Sequence, residues 1–245
     1  MTQETLWLMV VLYDLALTVF LYRFYGKQGL YAAVILGIIL GNLQGGKVTE
    51  FILFGTSFNV SMGAILYSGI FFATDILNEK FGKAEASKAV MLGFVTNVAV
   101  MITLVVSTYF MPSSIAGSSG EVHSAIATLA NYSPIFVIGS LTAYLVSQRF
   151  DVWFFHYLKQ KTAGKKLWLR NNFSTFTSQF IDTFTVVFLL CITNTLPWDM
   201  FTGLLISGFL FKVIVALLDT PLLYLFVWIF RKKFNLKVGE EIKLS

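Results

Sequence analysis

Long apolar stretches alternate with short polar ones along this chain. Seven stand out, at residues 6–22, 29–46, 51–77, 90–110, 129–146, 176–196 and 201–230. Each approaches or exceeds the ~20 residues that carry a helix across about 30 Å of hydrocarbon. The last is long enough to need a tilt or a break, and Gly55, Gly63 and Gly69 make the start of the third irregular. Composition agrees: 56% of the 245 residues are hydrophobic, only 13% are charged, and the mean hydropathy is +0.74. A water-soluble domain carries about 25% charged residues, so this chain lacks the charge to cover a surface in water. The pattern predicts an all-α fold, a polytopic integral membrane bundle of six to seven helices forming one domain over residues 1–245. Its expected place is the cell (inner) membrane, as a multi-pass protein.

The basic residues orient it. Arg23 and Lys27 follow the first stretch, and Lys80, Lys83 and Lys88 the third. Arg149, Lys159, Lys161, Lys165, Lys166 and Arg170 separate the fifth from the sixth, and Arg231, Lys232, Lys233, Lys237 and Lys243 follow the last. The alternate connections hold only Lys47. Cytoplasmic loops are enriched in Lys and Arg, so the N-terminus is expected outside and the C-terminus inside. The net charge of +5 is then an inner-leaflet signature, and no basic domain exists to bind nucleic acid. The first stretch lacks a basic leader and a small-residue cleavage site, and Asp14 interrupts it, so it does not read as a cleaved signal. Residues 112–124 are expected to form a flexible external loop and 155–168 an interfacial basic segment. Cys191 is a lone small core residue, and neither a metal nor a cofactor is expected.

Polar groups at membrane depth carry the chemistry. Asp14, Asp75, Asp182, Lys212 and Asp219 fall inside apolar stretches, where each charge costs roughly 2.5–3.5 kcal/mol on insertion scales. Asp14 is open between a proton site and a hydrogen bond between helices. Lys212 and Asp219, two turns apart, are open between structural ion pairing and a cavity role. Asp75 and Glu79 stand four apart in TDILNEKFGK (74–83), stacked on one helix face, and need a cation or a donor between them. Gly82 then suits a helix C-cap.

The sixth stretch opens RNNFSTFTSQFIDT (170–183). On a helix, Asn171, Ser174, Ser178 and Asp182 fall on one continuous face, bordered by Thr175 and Gln179. Close packing accounts for the serines. It does not account for Gln179 and a deep Asp182, so the face is expected to line a binding or permeation surface. Carboxylates, an amide, hydroxyls and 25 Phe, 10 Tyr and 5 Trp suit a planar polar heterocycle with N–H donors and a carbonyl.

These motifs bring a family into view. The segment 41–86 together with 170–183 resembles the VUT family of queuosine precursor transporters. The match is carried by Asn42, Gln44 and Lys47, by Gly63, by the run from Asp75 to Gly82, and by the run from Ser174 to Thr183. It spans about residues 30–230, with departures at Ser68, where the family often has Pro, and at Asn78, where Thr is common. The resemblance implies import of 7-deazaguanines, chiefly 7-cyano- and 7-aminomethyl-7-deazaguanine, for tRNA queuosine salvage. It implies recognition by Asp75, Glu79, Gln179 and Asp182, with Asn42, Gln44, Lys47, Asn171 and Ser178 shaping the route. One deep carboxylate would accept the N1–H and N2–H of the base, and Gln179 would address its carbonyl. Asp14, Asp182 or Asp219 would carry a coupling proton, unless import is facilitated diffusion.

Two rivals stand beside this. One is the substrate-binding subunit of an energy-coupling-factor vitamin transporter, which needs an ATPase partner. The other is a retinal-type photoreceptor, suggested only by seven stretches and Lys212. An enzyme is not expected: His123 and His156 lie in loops, and neither HExxH nor GxSxG occurs. Small-residue faces in the second, third and last stretches would allow a homodimer.

Overall fold

A computed structural model describes residues 2–53, 55–114, 117–130, 134–235, 237, 238 and 240. Its elements are α1 (Gln3–Leu43), β1 (Val48–Leu53), β2 (Thr56–Ser61), α2 (Met62–Phe81), α3 (Lys83–Ser107), α4 (Ser119–Ala130), α5 (Pro134–Lys161), α6 (Leu167–Ile192), a 3-10 turn at Trp198–Met200 and α7 (Phe201–Phe234). Lys243 lies outside the described residues.

The first two apolar stretches are the two helical halves of α1, which meet at Gly26 with φ 58° and ψ −135°. Only a residue without Cβ adopts that backbone readily. Asp14 before the break and Gly37 after it both reach the Gly69–Ile70 turn of α2, so the two halves double back as a helical hairpin. The second half packs closely on α2. A Cβ on Gly63 would stand 2.2 Å from the carbonyl oxygen of Gly41, and absent side chains let the backbones touch. Gly41 and Gly63, on the faces expected to allow a dimer, are thus used within the chain.

Two expectations are corrected. The fold is not wholly helical: residues 48–61, expected to begin the third span, form an antiparallel hairpin in register Val48↔Ser61 to Leu53↔Thr56. The cause is alternation, with Phe58 and Val60 buried among Ser57, Asn59 and Ser61. Residues 119–124 of the expected external loop 112–124 are helical, the start of α4. The basic segment 155–168 is the end of α5, a turn, and the first residues of α6. Gly82 does cap α2, with φ 85°.

Among the described residues, α1, α3, α6 and the stretch through α7 are long and apolar enough to cross a membrane. The second half of α2 carries Asp75, Glu79 and Lys80, all buried. Around the outside, Leu12, Val95, Ile102, Phe173, Leu210 and Leu225 stand exposed, a surface suited to lipid rather than water. The bundle has two unlike ends. The hairpin sits at one, where Glu4 accepts from the Ile52 N–H and Trp7 packs on Phe51. Basic residues gather at the other, where Lys27 pairs with Glu85.

Candidate functional site

The polar face of α6 is buried along its length: Asn171, Ser174, Thr175, Ser178, Gln179 and Asp182 all lie inside. Its partners come from two helices, α5 and α7. Ser178 Oγ donates to Asp151 Oδ1 of α5 at 2.9 Å, and Ser147 Oγ of α5 donates to Asp182 Oδ1 at 3.2 Å. Lys212 Nζ of α7 donates to Asp182 Oδ2. Asn171 Nδ2 donates to Thr220 Oγ1 of α7 at 3.2 Å, and Thr220 donates onward to Asn172 Oδ1.

Asp182 and Lys212 lie on the wall of a cavity of about 230 Å³ that extends toward the hairpin end. Tyr67, Asn59, Ser140 and Thr183 add polar atoms, and Val186, Val187 and Leu190 are among its apolar wall. Tyr67 is the aromatic side chain among the described lining residues. Its hydroxyl meets Ser140 and Asn42, while Ser140 Oγ donates to Asn42 Oδ1 at 2.8 Å and Asn42 Nδ2 donates to the Ile38 carbonyl. An apolar chamber with a few fixed polar groups is the usual form of a small-molecule site.

Lys212 also borders a second, smaller cavity of about 10 Å³, deeper in the bundle. Thr175, Gln179 and Asp219 line it. The Asp182–Lys212 pair therefore stands between an outer chamber and an inner one.

The residues singled out in the sequence divide accordingly. Asp182 and Asn42 belong to the outer chamber, Asn42 through Ser140 and Tyr67. Gln44 caps α1 beside it, its N–H bonded to the Leu40 carbonyl, and Lys47 is exposed at the start of the hairpin. Gln179 and Asp219 border the inner chamber. Asn171 and Ser178 hold α6 to its neighbours. Asp14 accepts from the Gly69 N–H at 2.9 Å, a contact between α1 and α2 away from both chambers.

Asp75 and Glu79 share a helix face but not surroundings. Glu79 receives Arg170 in two bonds, Nε at 3.0 Å and Nη2 at 2.7 Å, and Lys159 lies 3.9 Å away. Lys159 also donates to the Glu79 and Asn78 carbonyls. Glu79 is thus held in a structural knot at the basic end and borders neither chamber. Asp75 instead faces Asp151 of α5.

Asp151, Tyr67, Ser140 and Arg170 carry roles the sequence did not single out. Asp151 had a signal: Tyr144, Ser147, Gln148, Asp151, Val152 and Phe155 keep helical spacing past residue 146, and all are buried.

Comparison with known proteins gives the family of the chain. The family model described as "Putative vitamin uptake transporter" matches residues 61–226, more than half of the chain. A protein of Bacillus subtilis (strain 168), "Probable queuosine precursor transporter", is 34% identical over 228 residues, which cover 91% of this chain and 94% of that protein. No solved structure matches. The match, from the end of the hairpin nearly to the end of α7, takes in the lining of the inner chamber and the part of the outer one built by α2, α5, α6 and α7, and over more than half of its length the chain belongs to the vitamin uptake transporter family of multi-pass membrane proteins.

Proposed function

We propose that this chain imports queuosine precursors, 7-cyano-7-deazaguanine and 7-aminomethyl-7-deazaguanine, across the cytoplasmic membrane for tRNA queuosine salvage. The name of the Bacillus relative supplies the substrate class. The observation that carries it to this chain is the outer chamber, where a carboxylate, an ammonium and one aromatic ring share a space suited to a bicyclic base.

The chemistry assigns roles. A guanine-like edge presents adjacent N–H donors, which Asp182 accepts, and a carbonyl, which Lys212 is placed to address. Tyr67 offers the stacking face, held by Ser140 and Asn42. Seven helical segments cross the bilayer with the hairpin outside and the basic end in the cytoplasm, so the outer chamber faces the substrate supply.

Equilibrium binding of labelled 7-cyano-7-deazaguanine to the detergent-purified chain tests this. Tyr67→Ala should weaken binding by about 5- to 150-fold, since one base–aromatic stack is worth about 1–3 kcal/mol, and Tyr67→Phe should retain most of it. A 7-deazaadenine, which lacks the paired N–H edge, should fail to compete. Competition at equal strength would remove Asp182 from the recognition scheme.

A further inference from the structure

Among the described residues, three carboxyl groups at the level of the inner chamber have no basic partner. Asp75 of α2 faces Asp151 of α5, and Asp219 of α7 lies close enough for its charge to act on Asp75 and to feel that of Asp151. All three are at most 3% exposed. The charged groups around them are committed elsewhere. From α7, Lys212 is held by Asp182 of α6. From α6 and α5, Arg170 and Lys159 are held by Glu79 of α2. Lys80 and Arg231 belong to that same basic end, near Glu79, and Asp14 of α1 is bound to the Gly69 N–H.

The second observation is the cavity itself. Thr175 Oγ1, Gln179 Oε1 and Asp219 Oδ1 come from residues that line it, are buried, and have no hydrogen-bond partner. Asp75 Oδ1 and Asp151 Oδ2 are buried as well, and their two carboxyl groups stand within hydrogen-bonding reach of each other, a contact that needs a proton between them. Every one of these atoms is an oxygen able to accept. Buried polar groups in native proteins are nearly always satisfied, and oxygen acceptors favour hard cations; the Lys212 ammonium that also borders the chamber is neutralised by Asp182. About 10 Å³ is close to the room one water needs. Among the described residues, no three His, Cys, Asp or Glu side chains converge as a divalent ion would want.

We infer that the inner chamber, built by Asp219, Gln179 and Thr175 with Asp75 and Asp151 behind them, binds one monovalent cation, proton or sodium, that is carried inward with the substrate. Its carriage rests on the import proposed above, while its binding stands without substrate. Occupied chambers on both sides of the Asp182–Lys212 pair would couple the two loads through one contact between α6 and α7.

The test is thermal unfolding of the substrate-free, detergent-purified chain. It is run in sodium, potassium or choline chloride at equal ionic strength, and in choline chloride across pH 6 to 8. A cation near 100 times its dissociation constant should raise the midpoint by about 5–10 °C. A rise with sodium identifies sodium, and a rise with acid in choline identifies the proton. Asp219→Asn and Thr175→Val should each flatten the response. A wild-type midpoint that is the same in all conditions, or a response unchanged in both variants, would overturn the site. Proteoliposome uptake is measured in parallel. A cation response without substrate uptake would leave the site standing and overturn the import reading. Uptake that never exceeds equilibrium under either gradient would overturn the coupling alone.

Discussion

At the residue scale, the bundle treats its buried charges in two ways. Glu79 and Arg170 are each about 1% exposed and joined by two bonds. Removing one partner of such a pair strands the other charge and costs about 3–5 kcal/mol. Glu79→Gln should therefore lower the unfolding midpoint sharply, and Arg170→Lys should behave similarly, because an ammonium cannot reproduce the planar two-bond contact. Near-normal stability of Glu79→Gln together with lost substrate affinity would instead put Glu79 in the site. Asp182 and Lys212 are about 10% exposed and face a chamber, so water can take part when they separate. Lys212→Met and Asp182→Asn should each cost stability, and the double variant should recover part of it, with a coupling of about 1–3 kcal/mol in a double-mutant cycle.

At the scale of elements, close helix contacts set the geometry of the outer chamber. Gly41 and Gly63 both line it, and Gly63→Ala would drive a Cβ into the Gly41 carbonyl. The halves of the wall must move apart, at a cost of about 1–3 kcal/mol, readable as a lower unfolding midpoint and weaker substrate binding. The helices were legible in the sequence because apolar runs of membrane length leave few alternatives. So was the buried stripe from Asn171 to Asp182, because helical spacing put its polar atoms on one face. The hairpin was hidden: Phe51 to Phe58 reads as an apolar run, and only the alternation in Ser57–Ser61 and the positive φ of Gly55 mark strands and a turn. Lys212 and Asp182 were each visible as misplaced charges. Their pairing was not, since thirty residues separate them and only the packing of α6 on α7 joins them.

At the scale of the whole molecule, the two ends of the bundle carry the orientation. In a Cys191→Ser background, a cysteine at Thr49 in the hairpin should react with a membrane-impermeant thiol reagent in intact cells. One at Lys161, at the basic end, should react only after permeabilisation. The opposite result would invert the topology and turn the outer chamber toward the cytoplasm. The exposed apolar belt and the buried polar face of α6 divide the chain between two surroundings, lipid outside and polar contacts within.

The most direct measurement is uptake of labelled 7-cyano-7-deazaguanine by proteoliposomes holding only this chain, beside Asp182→Asn checked for normal folding. Uptake by the wild type that is lost in Asp182→Asn is the expected result, and it would establish a transporter that works alone with its site on α6. Binding without uptake would contradict that autonomy and point to a subunit that needs an ATPase partner. Equal uptake by the two chains would contradict the role of Asp182 in binding the base.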